Sequence, residues 1–165
     1  MDKKYLIKLE FDKALEILKR YTQSKISDSF IDLLVPSDNA GEVRRLLSET
    51  EDAEKLIRRK GNPPLAGIID ITRITARLKL GAGLNNSELL SVRDNLYLAG
   101  RMQRYLAEEN DAYLQEKNIV RQILVDLFSL KSLENEIQRC IISEDEMADD
   151  ASPALKSIRR AINNK

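Results

Sequence analysis

Five carboxylates crowd one stretch of this 165-residue chain: Glu144, Asp145, Glu146, Asp149 and Asp150. Hard cations take oxygen ligands, so such a cluster first suggests a divalent metal. A calcium loop, however, needs alternating ligands around a glycine, and this stretch has neither. It reads as a solvated acidic loop, Ser143 to Asp150, whose last two carboxylates precede a helix start, where negative charge suits the dipole. Cys140 is the second candidate. A nucleophilic thiol needs a base or a positive field to ionise it, and the chain contains no His. Cys140 lies beside Ile141 and Ile142 on an apolar stripe and reads as a buried structural thiol. As the only cysteine it excludes an internal disulfide and a zinc cluster. The missing His also removes the commonest general base. Gly81-Ala82-Gly83 is the one tight glycine pair. It lacks the Gly-Lys-Ser/Thr of a phosphate loop and reads as a helix stop. No catalytic, cofactor-binding or metal-ligating residue is assigned.

Three basic groups bear on nucleic acid: Arg58-Arg59-Lys60, Arg101 with Arg104, and Arg159-Arg160. The first fits a helix C-terminus, the negative end of the dipole. The others alternate with apolar residues and read as solvent faces. With 27 basic and 27 acidic residues the chain is neutral, which argues against a module dedicated to phosphate binding. No nucleic-acid-binding residue is singled out. The polar start, Met1-Asp2-Lys3-Lys4-Tyr5, leads into no long apolar run. Neither a signal peptide nor a membrane span is read, and the cytoplasm is the expected compartment.

These groups must be positioned by helices. Phe11, Ala14, Leu15, Leu18 and Tyr21 recur at helical spacing, as do Ile26, Phe30, Ile31 and Leu34 before Pro36. Asn39 and Glu42 form a capping-box pattern, followed by a stripe of Val43, Leu46, Leu47, Thr50, Ala53 and Ile57. Gly61 ends that helix, which would run about 33 Å. Asp70 is placed to cap a short helix carrying Ile71, Ile74, Ala76 and Leu78. Asn85 and Glu88 repeat the capping box ahead of Leu89, Val92, Leu96, Ala99 and Leu106. A turn is expected near Asn110-Asp111, then a helix through Ile119, Ile123, Leu124, Leu127 and Phe128. Ser132 is read as the next cap, with Leu133, Ile137, Cys140 and Ile141 inward. Ser152-Pro153 is read as cap and first helical residue of a last helix with Leu155, Ile158 and Ile162 on one face. All four prolines fall between helices or in a first turn, and no period-2 strand or Asn-Gly hairpin is read. The expected fold is all-α, an irregular bundle of about six to eight helices. The last helix has about three turns by Lys165. A frayed terminus and a longer helix both fit that composition.

Three stretches carry a resemblance. They are Leu9-Glu10-Phe11-Asp12-Lys13-Ala14-Leu15-Glu16; Gly61-Asn62-Pro63-Pro64-Leu65-Ala66-Gly67-Ile68-Ile69-Asp70-Ile71, with the Gly-Ala-Gly turn, Leu84 and Glu88-Leu89-Leu90; and Asp150-Ala151-Ser152-Pro153-Ala154-Leu155-Lys156-Ser157-Ile158-Arg159-Arg160-Ala161-Ile162. In order and spacing the chain resembles the amino-terminal segment of the MutS-two family, the second bacterial branch of MutS-type ATPases. Two positions depart from the family pattern. Glu144-Asp145-Glu146-Met147 replaces an Asp-Gly turn, and Asn85-Asn86 replaces a Ser-Pro helix start.

The resemblance implies the start of a helical core and lever region. Residues 1–151 would be the core bundle and 152–165 the first turns of a lever helix. It implies a non-catalytic segment whose parent is a homodimeric DNA-binding ATPase using ATP and magnesium, in some members with a carboxy-terminal Smr nuclease domain. Suppression of homologous recombination on branched DNA and rescue of collided ribosomes are the implied roles. The segment's partners would be the lever, clamp and ATPase domains of its own polypeptide. None of the family's ATPase or Smr motifs falls within these residues, so no catalytic residue is carried over. The face of Leu155, Ile158 and Ile162 is expected to pack only partly. The alternative is a free-standing helical adaptor that docks protein partners through an apolar groove.

Overall fold

The computed structural model describes residues 3–107, 119–124 and 126–163. Among these the regular structure is helical, with one isolated antiparallel bridge, Ile141 to Met147. The helices are α1 (Lys3–Lys8), α2 (Phe11–Lys19), α3 (Lys25–Asp32), α4 (Ala40–Lys60), α5 (Thr72–Lys79), α6 (Asn86–Ala107), α7 (Ile119–Leu124), α8 (Lys131–Cys140) and α9 (Pro153–Asn163). The fold class is the all-α one expected. The helix α1 precedes the first one read from sequence, and the expected Asn110-Asp111 turn lies outside the described residues. Leu127 and Phe128 fall beyond α7 rather than on it.

Helix ends follow their local codes. The Asn39 side chain accepts from the amides of Gly41 and Glu42 at 2.9 and 3.1 Å. The reciprocal half of that box is missing, because Glu42 takes the Ser37 hydroxyl instead. The second box is complete. Glu88 N–H donates to Asn85 Oδ1 at 2.8 Å, and Asn85 N–H donates to Glu88 Oε2 at 3.1 Å. At Gly81, φ is +80°, a region open to glycine at little cost. Its amide reaches Leu78 O at 2.9 Å and Ala82 N–H reaches Arg77 O at 3.1 Å, which satisfies the orphan carbonyls of α5. Two expected caps differ. Asp70 does bond the Thr72 amide, at 2.9 Å, but Ile71 stands at the cap position itself. Ser132 lies inside α8, whose cap is Leu130 with no side-chain bond, because that helix starts one residue before the expected cap.

The chain divides into two compact units. The first is drawn from Met1–Ile68 and Met102–Leu127. Its buried apolar residues are Ile31, Leu56 and Met102. Within it α1 packs on α2, α2 on α3, and α4 on α7. The face α4 buries is not the stripe read from its sequence. Asp52 and Leu56 are buried, whereas Leu46 and Leu47 are 42% and 64% exposed. The packed face is offset from the stripe by roughly one residue step, or about 100°. The short α7 against which α4 packs makes the difference. Phe30 is likewise 66% exposed although Ile31, one residue on, is buried.

The second unit is drawn from Ile69–Arg101 and Phe128–Lys165. Its buried apolar residues are Ile137 and Ile141. On α8 the inward positions include Glu134, while Leu133, read as inward, is 44% exposed. Asn95 on α6 secures the loop before α5, accepting from Ile69 N–H at 3.0 Å and donating to Ile69 O at 2.7 Å.

Candidate functional site

Two of the groups that sequence singled out for chemistry, Cys140 and the acidic stretch, lie together at the junction between α8 and α9. Cys140 ends α8 and is half-buried. Burial pushes its thiol above the ordinary range, and the nearby Arg139 charge only partly offsets this. Its Sγ lies 3.6 Å from both Glu136 Oε1 and Ala151 O, as a weak donor. A raised thiol with acceptors around it is a poor nucleophile, in keeping with a structural role.

Arg139 is the hub of the junction. Its Nε and Nη2 donate to the two Glu136 carboxylate oxygens at 3.1 and 2.6 Å, a bidentate pair one turn apart. Its Nη1 donates to Asp150 O at 2.9 Å and its Nη2 to Ala151 O at 3.4 Å. The hydrogen bonds from Arg139 hold the Glu136 carboxyl below its ordinary value, and the pairing raises Arg139 in turn.

The acidic stretch between the helices is more ordered than the expected solvated loop. Ile142 and Ser143 amides both donate to Glu146 O, at 3.0 and 3.1 Å, and Ala148 N–H donates to Cys140 O at 2.9 Å. These bonds close a small hairpin at the Ile141–Met147 bridge. No Asn-Gly pair marks this hairpin, so its turn carries no local sequence signal. Its carboxylates are exposed and do not converge. Among the described residues no group of three or more His, Cys, Asp or Glu is arranged to hold a metal ion.

The basic groups are drawn into the scaffold to different degrees. Arg58 pairs with Glu54 at 2.7 Å. Lys60 Nζ donates to Tyr105 O at 2.5 Å and sits 5.4 Å from the centre of the Tyr105 ring, whose hydroxyl donates to Gly61 O at 2.8 Å. Arg159 on α9 donates to Met147 O at 3.0 Å and pairs with Asp149. Arg101, Arg104 and Arg160 are exposed. The Ser152 hydroxyl accepts from Leu155 N–H at 3.1 Å, so the expected cap of α9 is in place. Beyond half-buried Leu155, its apolar face stays open, with Ile158 58% and Ile162 65% exposed. No helix among the described residues is long and apolar enough to cross a membrane.

The sequence reading missed Asp52 and Glu134, both buried carboxylates. Asp52 Oδ2 accepts from the amide of Ile119, the first residue of α7, at 3.0 Å. Glu134 accepts from Lys131 Nζ at 2.5 Å. Only the acidic first turn of α8 hinted at Glu134, and nothing near Asp52 in sequence points to Ile119.

No family model matches the chain. Curated relatives do. The chain is 42% identical to a protein named Endonuclease MutS2 from Ruminiclostridium cellulolyticum, over 93% of this chain and 19% of the relative. It is 39% identical to proteins of the same name from Clostridium botulinum (strain Eklund 17B) and Acetivibrio thermocellus, over 100% and 99% of this chain and 21% of each relative. The chain thus spans about a fifth of the length of the relatives it matches. The resemblance borne by the three stretches holds along the whole sequence, and the chain is a segment of the MutS2 family.

Proposed function

We propose that this segment is a non-catalytic structural part of the core and lever region of a MutS2-type ATPase. Residues 1–151 serve as core and 152–165 as the root of the lever helix. The observation that carries the reading is the match to MutS2 relatives over 93–100% of this chain. The geometry supports it: the Cys140 thiol is held neutral, Gly81 ends a helix, and Lys60 and Arg159 bond backbone carbonyls. The whole protein would be a cytoplasmic homodimer that binds DNA and uses ATP and magnesium. The relatives' name, endonuclease, favours nucleic acid as its target. Branched DNA in recombination and the collided ribosome are the two settings considered.

The test is a chimera. The segment replaces its counterpart in the Acetivibrio thermocellus relative, and endonuclease activity is measured for the chimera, the relative and the isolated segment. The reading expects an active chimera and an inert segment. Nuclease or ATPase turnover by the segment alone would sink it. A free-standing adaptor, the reading favoured by exposed Phe30, Leu33 and Val35, expects an inactive chimera.

A further inference from the structure

The direction of α9 has little apolar packing behind it. Only Leu155 is half-buried, while Ile158 and Ile162 face solvent. Something else must fix the angle at which the helix leaves the junction. The hydrogen bonds there converge from both sides on the backbone that links α8 to α9. From α8, Arg139 donates to the carbonyls of Asp150 and Ala151. From α9, Arg159 donates back to Met147 O and pairs with Asp149. Between them the hairpin is closed by Ala148 N–H to Cys140 O at 2.9 Å and Ala151 N–H to Ala148 O at 3.0 Å. Its root, Ile141, is 3% exposed and anchored in the core of the second unit.

We infer that the α8–α9 junction is a rigid elbow in which Arg139 and Arg159 clamp the linking backbone, at Asp150–Ala151 and at Met147, and so set the direction of α9. The guanidinium suits this role. Its planar fork supplies five fixed donors, enough for Arg139 to hold Glu136 and two carbonyls at once. A lysine carries the same charge on a flexible stem and cannot hold that geometry. Leverage makes the angle matter. Over the 11 residues of α9 a 10° error at the root moves the far end by about 3 Å. The inference rests on the lever reading only for the purpose a fixed direction serves.

The experiment uses the 165-residue chain labelled with ¹⁵N. Amide exchange is followed at Ala148 and Ala151, and residual dipolar couplings report whether α8 and α9 share one alignment tensor. Arg139→Lys and Arg159→Lys should each speed exchange at these amides by about tenfold or more, as loss of a charge-assisted bond implies. Each should also split the two helices into separate tensors. Arg160→Lys, an exposed change on the same helix, should do neither. If both clamp variants keep native exchange and a single tensor, the elbow is wrong. If either loses its helical circular dichroism, the other decides. If both unfold, the clamp holds the core rather than the angle, and the inference again falls. An inactive chimera beside an intact elbow would remove the lever reading and leave the clamp standing.

Discussion

Asp52 in the first unit and Glu134 in the second are buried alike, at 5% and 4% exposure. Both stand where a helical reading of the sequence leaves a carboxylate to solvent. Their partners differ. Asp52 receives the amide of Ile119, 67 residues away, on α7. Glu134 is bonded by Lys131, three residues earlier, whose side chain is 62% exposed. One buried carboxylate ties two distant stretches of chain together. The other belongs to a local pair with one partner largely in water, the kind that contributes little. Burial alone therefore does not rank them; the partner does.

The largest expected effect tests this ranking. Asp52→Ala should destabilise the chain by about 1.5–3 kcal/mol in urea unfolding, since it empties a buried site and takes the carboxylate acceptor from the half-buried Ile119 amide. It should also raise exchange at Ile119. Asp52→Asn keeps an acceptor and should cost about half as much. Glu134→Gln should cost less than about 1 kcal/mol, since relief from burying a charge offsets loss of the exposed lysine. Equal costs at the two sites would break the comparison.

Glu136 extends it to a fully local pair. Arg139 holds its carboxyl below the ordinary 4.5, so its stabilisation is complete above that pH and is lost as pH falls through the lowered value. Glu136→Gln should therefore flatten the acid side of a melting-temperature profile. An unchanged profile would show the pair to be idle. The smallest effect is expected at an apolar side chain left in solvent: Ile158→Glu should change stability by no more than about 0.5 kcal/mol. A large loss would mean that the α9 face is packed after all.

Much of the local structure was legible because its signals lie within a few residues. Asn39, Asn85 and Ser152 act as caps where their spacing placed them, and Gly61 and Gly81 stop their helices with positive φ. The candidate chemistry was legible in part. Cys140, read as a buried thiol from its apolar neighbours, is half-buried, and burial raises it. Its surroundings were not legible, because Arg139 reaches carbonyls 11 and 12 residues on, across a hairpin that no turn signal announces.

Sequence by itself determined that this chain folds as helices, where most of them begin and end, and which family it belongs to. Backbone hydrogen bonds within a helix and its caps are satisfied by near neighbours, so their code is short. Only the tertiary structure decided which face of each helix is buried. The α4 stripe of Leu46 and Leu47 stays open while Asp52 and Leu56 go inward. Burial depends on what the other elements offer, and for Asp52 that was the Ile119 amide of α7.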